Sequence, residues 1–121
     1  MRKYLIAVGI VLALSPSLFA GEANIGPVTI EHLTLIAVAT GGHIAGNMEV
    51  KIQGGFAIPK GLTCTDANYI TTRKTSDPDR AMLSMLLKVQ KTAQAIQLRI
   101  TDNPALTAYP GRCSMEWVDL Q

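Results

Sequence analysis

Cysteine is scarce in this chain, with Cys64 and Cys113 the only two and no Cys-x-x-Cys pair. No nucleophile elbow, Gly-rich phosphate loop, zinc-ligand cluster or His-Glu-x-x-His helix occurs. The two histidines, His32 and His43, have no serine or cysteine near them in sequence to activate, and read as a strand-surface and a loop histidine. No enzyme activity, metal or other cofactor is therefore expected. A charge excess is missing too. Eleven basic residues face nine acidic ones, and two of the basic ones are Arg2 and Lys3, so the remainder of the chain is neutral. That excludes the dense positive footprint which nucleic acids demand. No apolar run approaches the roughly 20 residues of a membrane span.

What is present begins at the amino terminus. Arg2 and Lys3 precede an apolar stretch from Tyr4 to Leu14, Ser15-Pro16-Ser17 breaks it, and Leu18-Phe19-Ala20 ends on a small residue. This is the three-part build of a secretory signal peptide. Cleavage is expected after Ala20, with Ala23 as a second site, leaving one domain over 21–121 with no membrane span. Periplasmic or secreted localisation follows. In such a compartment two thiols normally pair, so Cys64 and Cys113 are expected as a structural disulfide. Closing a loop of 49 residues contributes roughly 4 kcal/mol in the chain-entropy picture.

The exported part shows no repeat and no dividing linker. Residues 21–27, with Gly21, Gly26 and Pro27, read as a loose lead-in. Val28 to Thr40 is a continuous apolar run whose second half also fits a buried helix, but its Val, Ile and Thr content favours a strand, ended by Gly41-Gly42. From Asn47 to Gln53, Met48, Val50 and Ile52 on one face alternate with Asn47, Glu49, Lys51 and Gln53 on the solvent face, the pattern of a half-buried strand. Tyr69 to Thr72 is a short strand. Ser76-Asp77-Pro78-Asp79 predicts a helix start with Ser76 as cap, and Met82, Met85, Leu86, Val89 and Ala93 form one apolar stripe, so a helix is predicted near 78–94. Capping explains Asp77 and Asp79 better than an acid/base or cation pair. Ile96, Leu98 and Ile100 alternate with Gln97, Arg99 and Thr101 in a further strand. Cys113 to Leu120 closes the fold, with Cys113, Met115 and Trp117 on one face and Ser114, Glu116, Val118 and Leu120 on the other, neither purely polar, so both are expected to be partly covered.

Aromatics are few, and four residues are candidates for binding. Tyr69, Tyr109 and Trp117 offer rings for stacking on a sugar or partner, and Arg73 belongs to the only adjacent basic pair after the leader. Core packing is the expected use of Trp117, and core filling that of Met82 and Met85.

The order from Cys64 onward adds a resemblance. Tyr69-Ile70-Thr71-Thr72, the helix Ala81 to Thr92, the strand Ile96-Gln97-Leu98-Arg99-Ile100, then Cys113 and Met115 to Leu120 are similar to small exported bacterial proteins related to the B subunit of subtilase cytotoxin. The resemblance implies a mainly β domain with one helix, a small OB-like barrel of about five strands. In the toxin members the subunit forms a ring of five and binds sialylated glycans. It thus implies a non-enzymatic module for a glycan or protein receptor, with a homo-oligomeric ring as its assembly. None of the family's sugar-contacting residues matches a position here, and the stretch Asp102 to Arg112 is longer than the family spacing. The alternative is a periplasmic structural or inhibitor-like protein that binds another protein without sugar affinity.

Overall fold

A computed structural model describes residues 20–120. The expected signal peptide lies outside the described residues, apart from Ala20. Six strands and one helix follow in the order β1 (Glu22–Val28), β2 (Ile30–Leu35), β3 (Met48–Ile52), β4 (Tyr69–Thr72), α1 (Ala81–Thr92), β5 (Ile96–Thr101) and β6 (Ser114–Leu120). They form two antiparallel sheets of three, ordered β1-β5-β6 and β2-β3-β4. The domain is mainly β with a single α-helix, as expected. It has six strands rather than five, and the sheets do not close into a barrel. Outside the ladders, Ile70 of β4 bridges Cys113, the residue before β6, and Thr72 bridges Thr107.

The alternating segments build the core. Met48, Val50 and Ile52 of β3, Ile70 of β4, and Ile96, Leu98 and Ile100 of β5 are all buried, as a period of two requires for strands covered on one face. Leu86 and Val89 of α1 seal this core, with Met82 and Leu83 packed beside them. The helix lies against β2 and β6, one strand from each sheet. Ala93 is exposed and ends the helix instead of joining the stripe.

Three expectations at element ends are corrected. The segment 21–27 is no loose lead-in, because most of it is β1, paired with β5 from Glu22↔Thr101 to Ile25↔Leu98. Gly26 and Pro27 bulge out of that ladder before Val28 rejoins it opposite Ile96. Proline has no N–H to give, and at Gly26 (φ +143°) a Cβ would meet Ile96 O at 2.8 Å. Both residues are therefore tolerated only at such an irregularity. The strand expected over Val28–Thr40 bends at Thr29 between the sheets and stops at Leu35. The helix starts at Ala81, not 78, and Ser76 does not cap it. Asp77 does: its Oδ1 accepts the Met82 N–H at 3.0 Å and its Oδ2 the Leu83 N–H at 3.1 Å. Asp79 Oδ1 accepts the Ala81 N–H.

The closing strand carries the correction that bears on function. Ile100 faces Met115 and Arg99 faces Trp117, so Glu116 is an extra residue with no partner on β5. A one-residue bulge reverses which face later side chains take. Met115 stays in the core, Val118 packs against it, and Trp117 turns outward. The expected core role of Trp117 is therefore overturned.

Cys64 and Cys113 form the disulfide, with Cα atoms 5.3 Å apart. It ties the loop before β4 to the start of β6. Among the described residues no helix is long and apolar enough to cross a membrane. Both features are compatible with an extracytoplasmic protein.

Candidate functional site

Two polar clusters stand out, and their chemistry differs. The first surrounds Arg112, just before the bridged Cys113. Its Nη1 donates to Glu49 Oε2 at 3.0 Å and Thr71 Oγ1 at 3.3 Å, and its Nε donates to Asp66 Oδ2 at 3.1 Å. The guanidinium carbon lies 4.5 Å from the Tyr69 ring centre and 4.2 Å from that of Tyr109. His43 stacks beside Tyr109, with centroids 4.4 Å apart, and its Nε2 lies 3.2 Å from Glu49 Oε2. Asp66 Oδ1 in turn accepts the Asn68 and Tyr69 N–H groups, which fixes the entry to β4. The Arg112 side chain is only 14% exposed.

This cluster draws two of the expected binding residues together, Tyr69 and Tyr109, but uses them as walls around a cation. A guanidinium held by two carboxylates, a hydroxyl and two rings has its Nε and Nη1 donors committed within the chain. Its work is to fasten β3, β4 and the 103–112 segment. Arg73 serves that segment as well: its Nε donates to Thr107 O at 2.6 Å and its Nη1 reaches Ala105 O. The Asn47 side chain, buried rather than on the solvent face, donates to Ala108 O at 3.1 Å.

The second cluster is open. On the outer face of β1-β5-β6 the register places Asn24, Arg99 and Trp117 side by side. The Trp117 indole is 49% exposed, and the Arg99 guanidinium carbon lies 5.1 Å from its ring centre. Arg99 Nη1 donates to Asn24 Oδ1 at 3.3 Å. Its two ion pairs are long, 3.6 Å to Glu22 and 3.7 Å to Glu116. Both Arg99 Nε and Glu116 Oε1 are buried without a hydrogen-bond partner. At 3.7 Å they attract each other as charges but make no hydrogen bond. Burial, then the adjoining Glu22 carboxyl, pushes the Glu116 carboxyl above its usual range, against the pull of Arg99.

Asn24 also borders a groove of about 350 Å³ between the β1 bulge and the segment Gly55–Pro59. Phe56 and Pro27 line it, and no charged side chain does. The groove and the indole thus flank the same polar set.

The candidates Tyr69, Arg73, Tyr109 and Trp117 therefore part company. The first three brace the 103–112 segment, and Trp117 alone stands on an open surface. Arg99, Glu116, Glu22 and Asn24 were not singled out from the sequence. The available signal was the Gln97–Arg99 solvent face of an alternating strand, but nothing in it names the cross-strand neighbours. His43, Glu49, Asp66 and Arg112 lie too far apart in sequence to have been grouped. Among the described residues no group of three metal-ligating side chains comes together. Comparisons with protein-family models, with curated proteins and with solved structures find no match to this chain.

Proposed function

We propose that this protein is an exported, non-enzymatic binding module that takes a carbohydrate on the outer face of β1-β5-β6. The observation that carries the reading is the half-exposed Trp117 beside the loosely held Arg99 guanidinium, 5.1 Å from its ring centre, whose ion pairs to Glu22 and Glu116 span 3.6 and 3.7 Å. A sugar ring offers both complements at once: an apolar C–H face for the indole and hydroxyls that donate and accept. The groove bordered by Asn24 gives a second sugar unit room.

Two carboxylates surround one guanidinium here, so the face suits an uncharged sugar better than a sialylated one. That departs from the ligand the toxin resemblance implies. Exposed Leu35, Val38, Ile44, Leu87 and Leu120 favour a second reading, in which further copies or a protein partner cover these side chains.

Trp117 is the only tryptophan, so its fluorescence reports this surface alone. Titration with neutral and sialylated oligosaccharides should shift its emission with the neutral ones, and by calorimetry, which needs no fluorophore, Trp117→Ala should weaken binding at least ~10-fold, the loss of about 1.4 kcal/mol of stacking and burial. If no sugar moves the emission while a protein ligand does, the second reading replaces the first. Mass in solution decides whether the chain forms a ring.

A further inference from the structure

The start of the described chain is gripped more tightly than a terminal segment normally is. Gly21 N–H donates to Asp102 Oδ1 at 2.7 Å. Gly21 O accepts from Thr101 Oγ1 at 2.8 Å and from the Asp102 N–H at 3.2 Å. A Cβ on residue 21 would meet Leu62 Cδ2 at 2.7 Å and the Gly61 carbonyl at 3.2 Å, so the seat admits glycine best. Immediately before it, Ala20 is exposed. Asp102 Oδ2 is committed to Thr63, taking its N–H at 2.7 Å and its hydroxyl at 3.0 Å, whereas Oδ1 receives Gly21 as its one side-chain-to-backbone donor.

We propose that Ala20–Gly21 is the bond cut during export and that the cut creates an ion pair, the new Gly21 ammonium docking on the Asp102 carboxylate. This rests on reading residues 1–20 as a signal peptide. Water adds across the Ala20–Gly21 amide, leaving a carboxylate on Ala20 and, after proton uptake, an ammonium on Gly21. One neutral N–H donor thereby becomes a charged group with three, in contact with an anion already in place. Burial opposes the charge on Asp102, but the hydrogen bonds from Thr63 and Gly21 outweigh it and hold the carboxyl below its usual range. The anion therefore waits in ionised form. Cleavage after Ala23 instead would delete Gly21 and the pairs Glu22↔Thr101 and Ala23↔Ile100, and would leave Asp102 Oδ1 without this donor. The geometry thus discriminates between two sites that the sequence leaves open.

The test has two arms. Mass spectrometry of the exported protein is expected to find Gly21 as the first residue. A chain that begins at Asn24, or retains Met1, overturns the proposal, and retention of Met1 also removes the signal-peptide reading. In the second arm, chains beginning at Gly21 and at Ala20 are compared by equilibrium denaturation, each with and without Asp102→Asn. The Gly21 chain is expected to be about 3- to 5-fold more stable in its unfolding constant, the range of a partly exposed ion pair, and the advantage is expected to vanish in the Asp102→Asn background. Equal stability of the two starts, or an advantage that survives Asp102→Asn, refutes the ion pair. The neutral asparagine keeps an acceptor for the backbone N–H, so all four chains retain the β1 register.

Discussion

Replacing Arg112 by methionine is the sharpest test of how the 103–112 segment is held. Methionine keeps an unbranched apolar stem and removes the guanidinium that lies against the Tyr69 and Tyr109 rings. Three hydrogen bonds to Glu49, Asp66 and Thr71 are lost. In a fully buried setting, removing one partner of an ion pair costs about 3–5 kcal/mol, since the remaining charges stay desolvated. Here the carboxylates keep some solvent, with side-chain exposures of 18% for Glu49 and 28% for Asp66. Water relieves part of the cost, and a loss of about 2–3 kcal/mol is expected. For a domain of this size that corresponds to a drop in Tm of roughly 10–20 °C. Guanidinium chloride denaturation should show a lower midpoint at unchanged slope, because the same surface is exposed on unfolding. Arg112→Lys restores the charge without the fork and should recover less than half of the loss. A loss under about 0.5 kcal/mol for methionine, or full rescue by lysine, would refute the view that a forked, ring-flanked cation fastens these loops.

Other consequences follow from single positions. Asp77→Ala removes the acceptor for the first N–H groups of α1 from a residue only 3% exposed, and urea denaturation should register a loss of about 1–2 kcal/mol. Ala93 sits at φ +54° at the end of α1, in the left-handed region that penalises a Cβ; Ala93→Gly should raise stability by about 0.5–1 kcal/mol in the same assay. The Glu116 carboxyl is raised in the folded protein, so the native state holds its proton more tightly than the unfolded chain and stability falls as pH climbs from about 4.5 through the folded value. Glu116→Gln should accordingly increase Tm at pH 7 and make no difference near pH 3, where wild type is protonated as well. A gain that persists at pH 3 would point to packing rather than charge.

Much of the architecture was legible wherever burial follows a simple period. The alternation of Met48, Val50 and Ile52, and of Ile96, Leu98 and Ile100, marks strands covered on one face, and the structure buries those six side chains. Leu86 and Val89 mark the core face of the helix for the same reason, and the two cysteines pair as their number suggested. These signals are local, since each depends only on where successive side chains point.

Where neighbours came from distant segments, the sequence was silent or misleading. β1 was hidden because Gly26 and Pro27 signal a break, while its ladder is supplied by β5 more than seventy residues on, as in Asn24↔Arg99. Ser76 had the better capping pattern, but the 3-10 turn at Lys74–Ser76 put Asp77 in position to reach the helix start. Strict alternation places Trp117 on the same face as the buried Met115, and a single unpaired residue, Glu116, turns it to solvent. By itself, then, the chain determined which stretches bury one face and which cysteines meet. The tertiary structure alone decided which way the last strand faces after its bulge, and so which charges surround the indole. Pairing register is a property of two strands at once, and one strand's residue order cannot encode it.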